Sequence, residues 1–241
     1  MDGRVNVGLA VTAIVLILVT TITSTVVMTM AGMRTFNGMT TGINMLSLIS
    51  FSLGVYIFVL ILGVITAILQ FVVLKQIMNV LNNNINHTRA LLANIQTDDL
   101  SIKSEIEAAA RELESESVPG WAFWGYVVSY IIAFVFLFVP PITSIFGIVG
   151  FVLYLIYLYQ IFSTSASIYQ VKNRVYSYLR NMKKLPQVEE LRPITKRNIF
   201  LVLVLTIVTF GVYWLYLLVK LPTEVNEFVK SDEKVRMRFA S

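Results

Sequence analysis

The stretch ITKRNIFLVLVLTIVTFGVYWLYLLVKLPTEVNEF, Ile194 to Phe228, sets an uncharged run, Asn198 to Val219, between two basic flanks. Its length of about 22 residues is enough to cross a bilayer, which takes roughly 20 apolar residues in a helix. Thr209-Phe210-Gly211 falls near its centre. Two readings compete: one straight helix, or two half-helices that turn at this break and leave on the side where they entered. Irregular backbone at membrane depth is tolerated only where protein buries it or it lines a cavity, and glycine is common in ordinary spans. We therefore read residues 198–220 as a full transmembrane segment. That carries the polar tail, residues 221–241, to the opposite side.

The rest of the chain supports a membrane setting. Of 241 residues, 56% are hydrophobic and only 14% are charged, against about 25% charged in a typical soluble domain. No charge occurs between Arg4 and Arg34, Arg34 and Lys75, Glu116 and Lys172, or Arg197 and Lys220. Each gap is long enough for a helical span. The expected fold is all-α: a polytopic helical membrane protein with five spans. Residues 1–74 hold two of them, about 7–30 and 45–74. The first is too long for the apolar core of a cleaved signal peptide and lacks a small-residue cleavage site, so it reads as retained. Residues 119–168 hold a second pair, joined where Pro140-Pro141 interrupts the helix.

Between these pairs, residues 75–118 follow a different pattern. Apolar or small residues recur at alternating spacings of four and three: Leu74, Met78, Leu81, Ile85, Thr88, Leu92 and Ile95, then Ile102, Ile106, Ala109 and Leu113. This is a heptad seam. A single long rod and an antiparallel hairpin both fit it. Thr97, Asp98 and Asp99 are helix N-cap types, and the two arms are nearly equal, so we expect a coiled-coil-like hairpin turning at QTDDLS. Leu81, Ile85, Leu92, Ile95, Ile102, Ile106 and Leu113 are its expected partner-docking seam.

Residues 169–197 read as a basic amphipathic helix and linker. Ile168, Val171, Val175, Tyr178, Leu179 and Met182 share one face, and Lys172, Arg174, Arg180, Lys183 and Lys184 occupy much of the rest, with Pro186 as the stop. Such a helix beside a span is expected to lay its cations against anionic headgroups. Trp121 and Trp124, and Tyr213, Trp214 and Tyr216 near Lys220, are the expected interfacial aromatics.

With five spans, thirteen Lys and Arg fall on the N-terminal side and six on the other. Positive loops stay inside, so the N-terminus, the hairpin and the basic helix are expected in the cytoplasm of a cell-membrane protein. Five of the six opposing cations lie in the tail, on the side where that rule does not favour them. A re-entrant segment would bring them back.

The C-terminal segment also carries a recognisable pattern: Lys196-Arg197-Asn198, then Thr209-Phe210-Gly211-Val212-Tyr213-Trp214-Leu215-Tyr216, then Glu224-Val225-Asn226-Glu227-Phe228. It resembles a prokaryotic, often archaeal, family of small membrane domains of unknown function. The resemblance covers about 35 residues of this chain and implies an integral membrane protein without assigning an activity.

Chemistry is sparse. The chain has no cysteine and one histidine, His87, which removes thiolate chemistry and histidine-rich metal sites. Apart from Lys220 at the edge of the last, none of the expected spans contains Asp, Glu, His, Lys or Arg, the residues that membrane pumps and enzymes place there. We expect no catalytic residue, cofactor or metal, and hence no enzyme. The expected function is a non-catalytic scaffold or accessory subunit of a membrane complex or homo-oligomer. Its partners would be membrane lipids and other subunits or further copies of itself, without nucleic acid. The alternative is a channel or facilitative transporter with a path lined by the Ser/Thr-rich first span.

Overall fold

A computed structural model describes residues 3–41, 45–95, 99–183 and 191–240, with side chains left out at 31–41, 45–52, 181–183 and 239–240. These residues form helices α1 (Val7–Thr41), α2 (Met45–Ala93), α3 (Leu100–Ser115), α4 (Trp121–Val135), α5 (Pro140–Lys183), α6 (Ile199–Val208) and α7 (Val212–Ala240), with no strand among them. Two compact units emerge, Val7–Val73 and a larger one of Met1–Asn6 with Leu74–Ser241.

The smaller unit is α1 and the first part of α2. Both are apolar all round: Val11, Val15, Leu18 and Ile22 on α1, and Leu53, Ile57, Ile61 and Ile65 on α2, are exposed. A helix with this surface needs an apolar environment. The α1 hydroxyls turn back onto their own helix, Thr20 to the Leu16 carbonyl, Ser24 to Thr20 and Thr25 to Thr21, so they are satisfied without a partner helix. Among the described residues, Val7–Met30, Leu53–Ala93 and Pro140–Arg180 are long and apolar enough to cross a membrane.

In the larger unit α2 runs on past Lys75 without a break and ends at Ala93. The chain then reverses. Asp99 caps α3, accepting from the Ser101 and Ile102 backbone N–H groups and the Ser101 hydroxyl, and these bonds hold its carboxyl below the usual range. Thr97 and Asp98 lie outside the described residues. α3 returns antiparallel to α2: Arg89 pairs with Glu114, and further back Asn82 exchanges two hydrogen bonds with the Val118 backbone.

α4 and α5 form a second antiparallel hairpin. The Tyr126 ring packs tilted against Tyr154 and, nearer the base, Phe123 against Tyr157. Pro140 and Pro141 open α5, a place where proline is well tolerated, and the Thr143 hydroxyl reaches back to the Phe136 carbonyl to close the turn. α5 then continues for 44 residues, so the expected basic helix is its distal half and not a separate element.

The opening stretch is not one straight helix, which corrects the reading of residues 198–220. α6 has only 10 residues. Phe210 and Gly211 then take positive φ of 50° and 88°, a conformation glycine adopts freely and other residues rarely. Two left-handed residues in succession reverse the chain, and α7 runs back beside α6. Arg197, just before α6, meets Glu224 in the fourth turn of α7. Further back Arg192 meets Glu227 and Ser231, so the extended segment before α6 also tracks α7. At 1.5 Å per residue, α4 is about 22 Å long and α6 about 15 Å, both short of the ~30 Å hydrocarbon core.

Candidate functional site

Three helices of the larger unit each carry two polar residues four apart, hence on one face: Asn84 and Thr88 on α2, Lys172 and Tyr176 on α5, Asp232 and Arg236 on α7. They converge. Asp232 Oδ2 lies 2.8 Å from Lys172 Nζ, 2.7 Å from Asn84 Nδ2 and 2.9 Å from Arg236 Nε. Asp232 Oδ1 accepts from the Tyr176 hydroxyl at 2.8 Å. Lys172 Nζ also donates to Asn84 Oδ1 at 2.6 Å and sits 5.5 Å from the centre of the Phe228 ring. The side chains of Lys172 and Asp232 are both 0% exposed. Burial, and then the Asp232 charge, push the Tyr176 phenol well above its ordinary range, so it acts as a donor.

A carboxylate offers about four acceptor positions, and this one is surrounded by donors. A buried charge is tolerated when it is paired and hydrogen-bonded. The network has no exposed surface at its centre. What it does is hold α2, α5 and α7 in one register.

A second cluster closes the base of the α6–α7 hairpin. Arg197 grips Glu224 with two nitrogens, at 2.9 and 2.8 Å, and Glu224 also receives the Thr195 N–H and hydroxyl. Burial opposes the Arg197 charge, but the hydrogen bonds and charge of Glu224, with a contribution from Tyr213, outweigh it and raise its pKa. Two residues on, Asn226 exchanges paired 2.8 Å bonds with the Val5 backbone, while Arg4 meets Glu233. Asn6 N–H donates to Gln76. The N-terminal segment is thereby fastened to both α7 and α2.

Beyond this base, toward the two turns, the helices carry no charge. Trp214, Tyr126, Tyr154 and Gly147 line a cleft of about 310 Å³ between the hairpins. The turns themselves are apolar and bare: Phe138 is 82% and Phe210 98% exposed.

The expected docking seam is used internally. Leu81, Ile85, Leu92, Ile106 and Leu113 are buried within the chain, and Ile95 and Ile102 are half-buried. Periodicity reveals a buried face without saying what covers it, and here the chain's own helices do. The expected headgroup contacts also divide. Lys172 points into the core, a correction forced by its pairing with Asp232. Arg174 pairs with Glu112 on α3, Arg180 is half-buried, and the side chains of Lys183 and Lys184, with Pro186, lie outside the described residues. Of the aromatics, Trp121 and Trp124 are exposed at the base of α4, with Lys75 Nζ 5.1 Å from the Trp124 ring. Tyr213 and Tyr216 stand on the first turns of α7 beside each other, and Trp214 faces the cleft, bonded to Tyr154 at 2.7 Å.

The sequence reading does not single out Asn84 or Asp232, and it names Glu224 and Asn226 only within the C-terminal pattern. A signal existed. Lys172 sits on the apolar stripe Ile168–Val175–Leu179, Asp232 on Val225–Phe228–Val235 and Asn84 on Ile77–Leu81–Thr88. Opposite charges on the apolar stripes of two helices foretell a buried pair. Among the described residues, no group of three His, Cys, Asp or Glu side chains is placed to hold a metal.

Among the described residues the architecture is all-helical, with three helices long and apolar enough to cross a membrane. The profile of a domain of unknown function, DUF4234, matches residues 197–240. That match spans the α6–α7 hairpin and takes in Arg197, Gly211, Glu224, Asn226 and Asp232. No curated protein and no solved structure matches the chain.

Proposed function

We propose that the protein is a non-catalytic integral membrane protein, a scaffold or accessory subunit of a membrane complex or homo-oligomer, which holds a locked helical bundle against the cytoplasmic face. The observation that carries this reading is how its polar chemistry is used. The buried network ties α2, α5 and α7 together, and the Arg197–Glu224 clamp fixes a short apolar hairpin beneath them. α1 and the first part of α2 cross the bilayer, and the α4–α5 and α6–α7 hairpins dip into it from the bundle side.

Charge placement supports this topology. Asn6 and Gln76 are hydrogen-bonded, so the chain enters and leaves residues 7–73 at one level, and α7 returns to that level at Glu224. Eighteen of the nineteen Lys and Arg then share a side, with Arg34 the exception, as the positive-inside rule favours. The α1 hydroxyls are bonded to their own carbonyls, which speaks against a polar conduction path along this helix.

Two measurements test the reading. In this cysteine-free chain, Lys103→Cys and Lys230→Cys should label with impermeant maleimide only after permeabilisation, and Asn44→Cys in intact cells. Labelling of Lys230→Cys in intact cells would overturn the topology. The native particle, purified in mild detergent, should contain other proteins or several copies of this chain. A lone monomer would overturn the scaffold role.

A further inference from the structure

We propose that the cleft between the two hairpins is a binding site for one hydrocarbon chain of a membrane lipid. The inference rests on the hairpins lying within the bilayer.

The space comes from two glycines. At Gly147 on α5 and Gly211 in the α6–α7 turn, an added Cβ would meet nothing within 4 Å. Aromatic faces flank this gap. The rings of Tyr126 and Tyr154 are 5.2 Å apart. The indole N–H of Trp214 donates to the Tyr154 hydroxyl at 2.7 Å, so its side chain's one donor is satisfied by the wall itself and its ring is left as apolar surface. The volume of about 310 Å³ lies at the small end of ligand pockets, which run roughly 300–1,000 Å³. It suits a length of one chain and not a whole headgroup.

The mouth points to the same occupant. Ile148 and Ile207, each adjoining a lining residue, are exposed, as are Val208 and Phe210 at the turn. The cleft thus opens through an apolar surface, and in a bilayer the molecules that reach it first are acyl chains. A flexible hydrocarbon chain makes dispersion contacts with such walls and requires no polar partner.

Trp214 is a built-in reporter, because the chain has three tryptophans and the other two can be changed. The full chain carrying Trp121→Phe and Trp124→Phe is reconstituted in phosphatidylcholine vesicles whose acyl chains bear bromine, a short-range quencher. Trp214 should be strongly quenched, and adding Gly147→Phe, which fills the gap, should cut that quenching at least twofold. Gly147→Leu serves if the phenylalanine variant does not fold, with a smaller effect in the same direction. Equal quenching with and without the filling side chain would overturn the proposal, since bromine would then reach Trp214 by another route. A companion chain carrying Trp121→Phe, Trp124→Phe, Trp214→Phe and Phe210→Trp separates the two levels of the argument. If its turn is quenched while Trp214 is not, the cleft holds no chain but the hairpins are embedded. If neither is quenched, the hairpins are not in the bilayer and both readings fail.

Discussion

Lys172 and Asp232, sixty residues apart in the chain, meet at 2.8 Å with no exposed surface on either side chain. Their neighbours make the pair asymmetric. Without Lys172, the carboxylate still has Asn84, Tyr176 and Arg236. Without the Asp232 charge, the buried Lys172 and the partly buried Arg236 lose the one anion they share. Asp232→Asn should therefore destabilise the folded chain by about 3–5 kcal/mol, and Lys172→Met by about 1–3 kcal/mol. Thermal unfolding of the purified chain in detergent, followed by circular dichroism, ranks the two. The reverse order would show that Asp232 is not the hub.

Tyr176 gives the same network a pH signature. Its phenol is held well above the ordinary value of 10.0 by burial and the Asp232 charge. Above that ordinary value the unfolded chain loses this proton while the folded chain keeps it. Stability is therefore fully present below about pH 10 and declines as pH rises toward the folded value. Tyr176→Phe should be less stable at neutral pH by about 1 kcal/mol and should lose less between pH 9 and 11 (roughly the range around the free phenol's pKa). Parallel alkaline slopes for both chains would count against the bond to Asp232.

The Arg197–Glu224 clamp predicts an energetic coupling across the base of the hairpin. Both side chains are about nine-tenths buried, so water screens the pair less than it would a surface pair. A double-mutant cycle with Arg197→Met and Glu224→Gln should return about 0.5–3 kcal/mol of coupling. Additive losses would mean that the two ends of the hairpin are held by something else.

The extent to which sequence anticipates this fold differs from element to element. Helices longer than a bilayer are plain from the charge gaps, and the turn before Leu100 is plain from Asp99. The destination of each apolar face is not, because periodicity is a property of one helix and burial of two. That is why the Leu81–Leu113 seam reads equally as a docking surface and as the interior it forms. The charge of Lys172 suggests the membrane surface, although its position lies on the apolar stripe. The α6–α7 reversal was harder, since Thr-Phe-Gly occurs in straight spans too. Two clues favoured it together: five tail cations on the disfavoured side, and opposite charges at Arg197 and Glu224 nearly equidistant from Gly211.

That reversal yields the sharpest distance test. Lys196 and Lys220 lie at the two ends of the segment. One straight helix would set their backbones about 36 Å apart at 1.5 Å per residue. In the hairpin, Lys220 Nζ is 3.9 Å from Glu224, which is itself bonded to Arg197. Antiparallel helix axes pack about 8–10 Å apart, so nitroxides on Lys196→Cys and Lys220→Cys should show a separation of roughly 10–20 Å by double electron–electron resonance in vesicles. Gly211→Val should lengthen or broaden that distribution, because a β-branched residue at φ 88° costs about 1–2 kcal/mol and a continuous helix relieves it. A separation near the straight-helix value in the parent chain would return residues 198–220 to a single span and move the tail, with Asp232, to the opposite face of the membrane. Asp232 could not then reach Lys172 or Asn84, so this one distance also bears on the buried network.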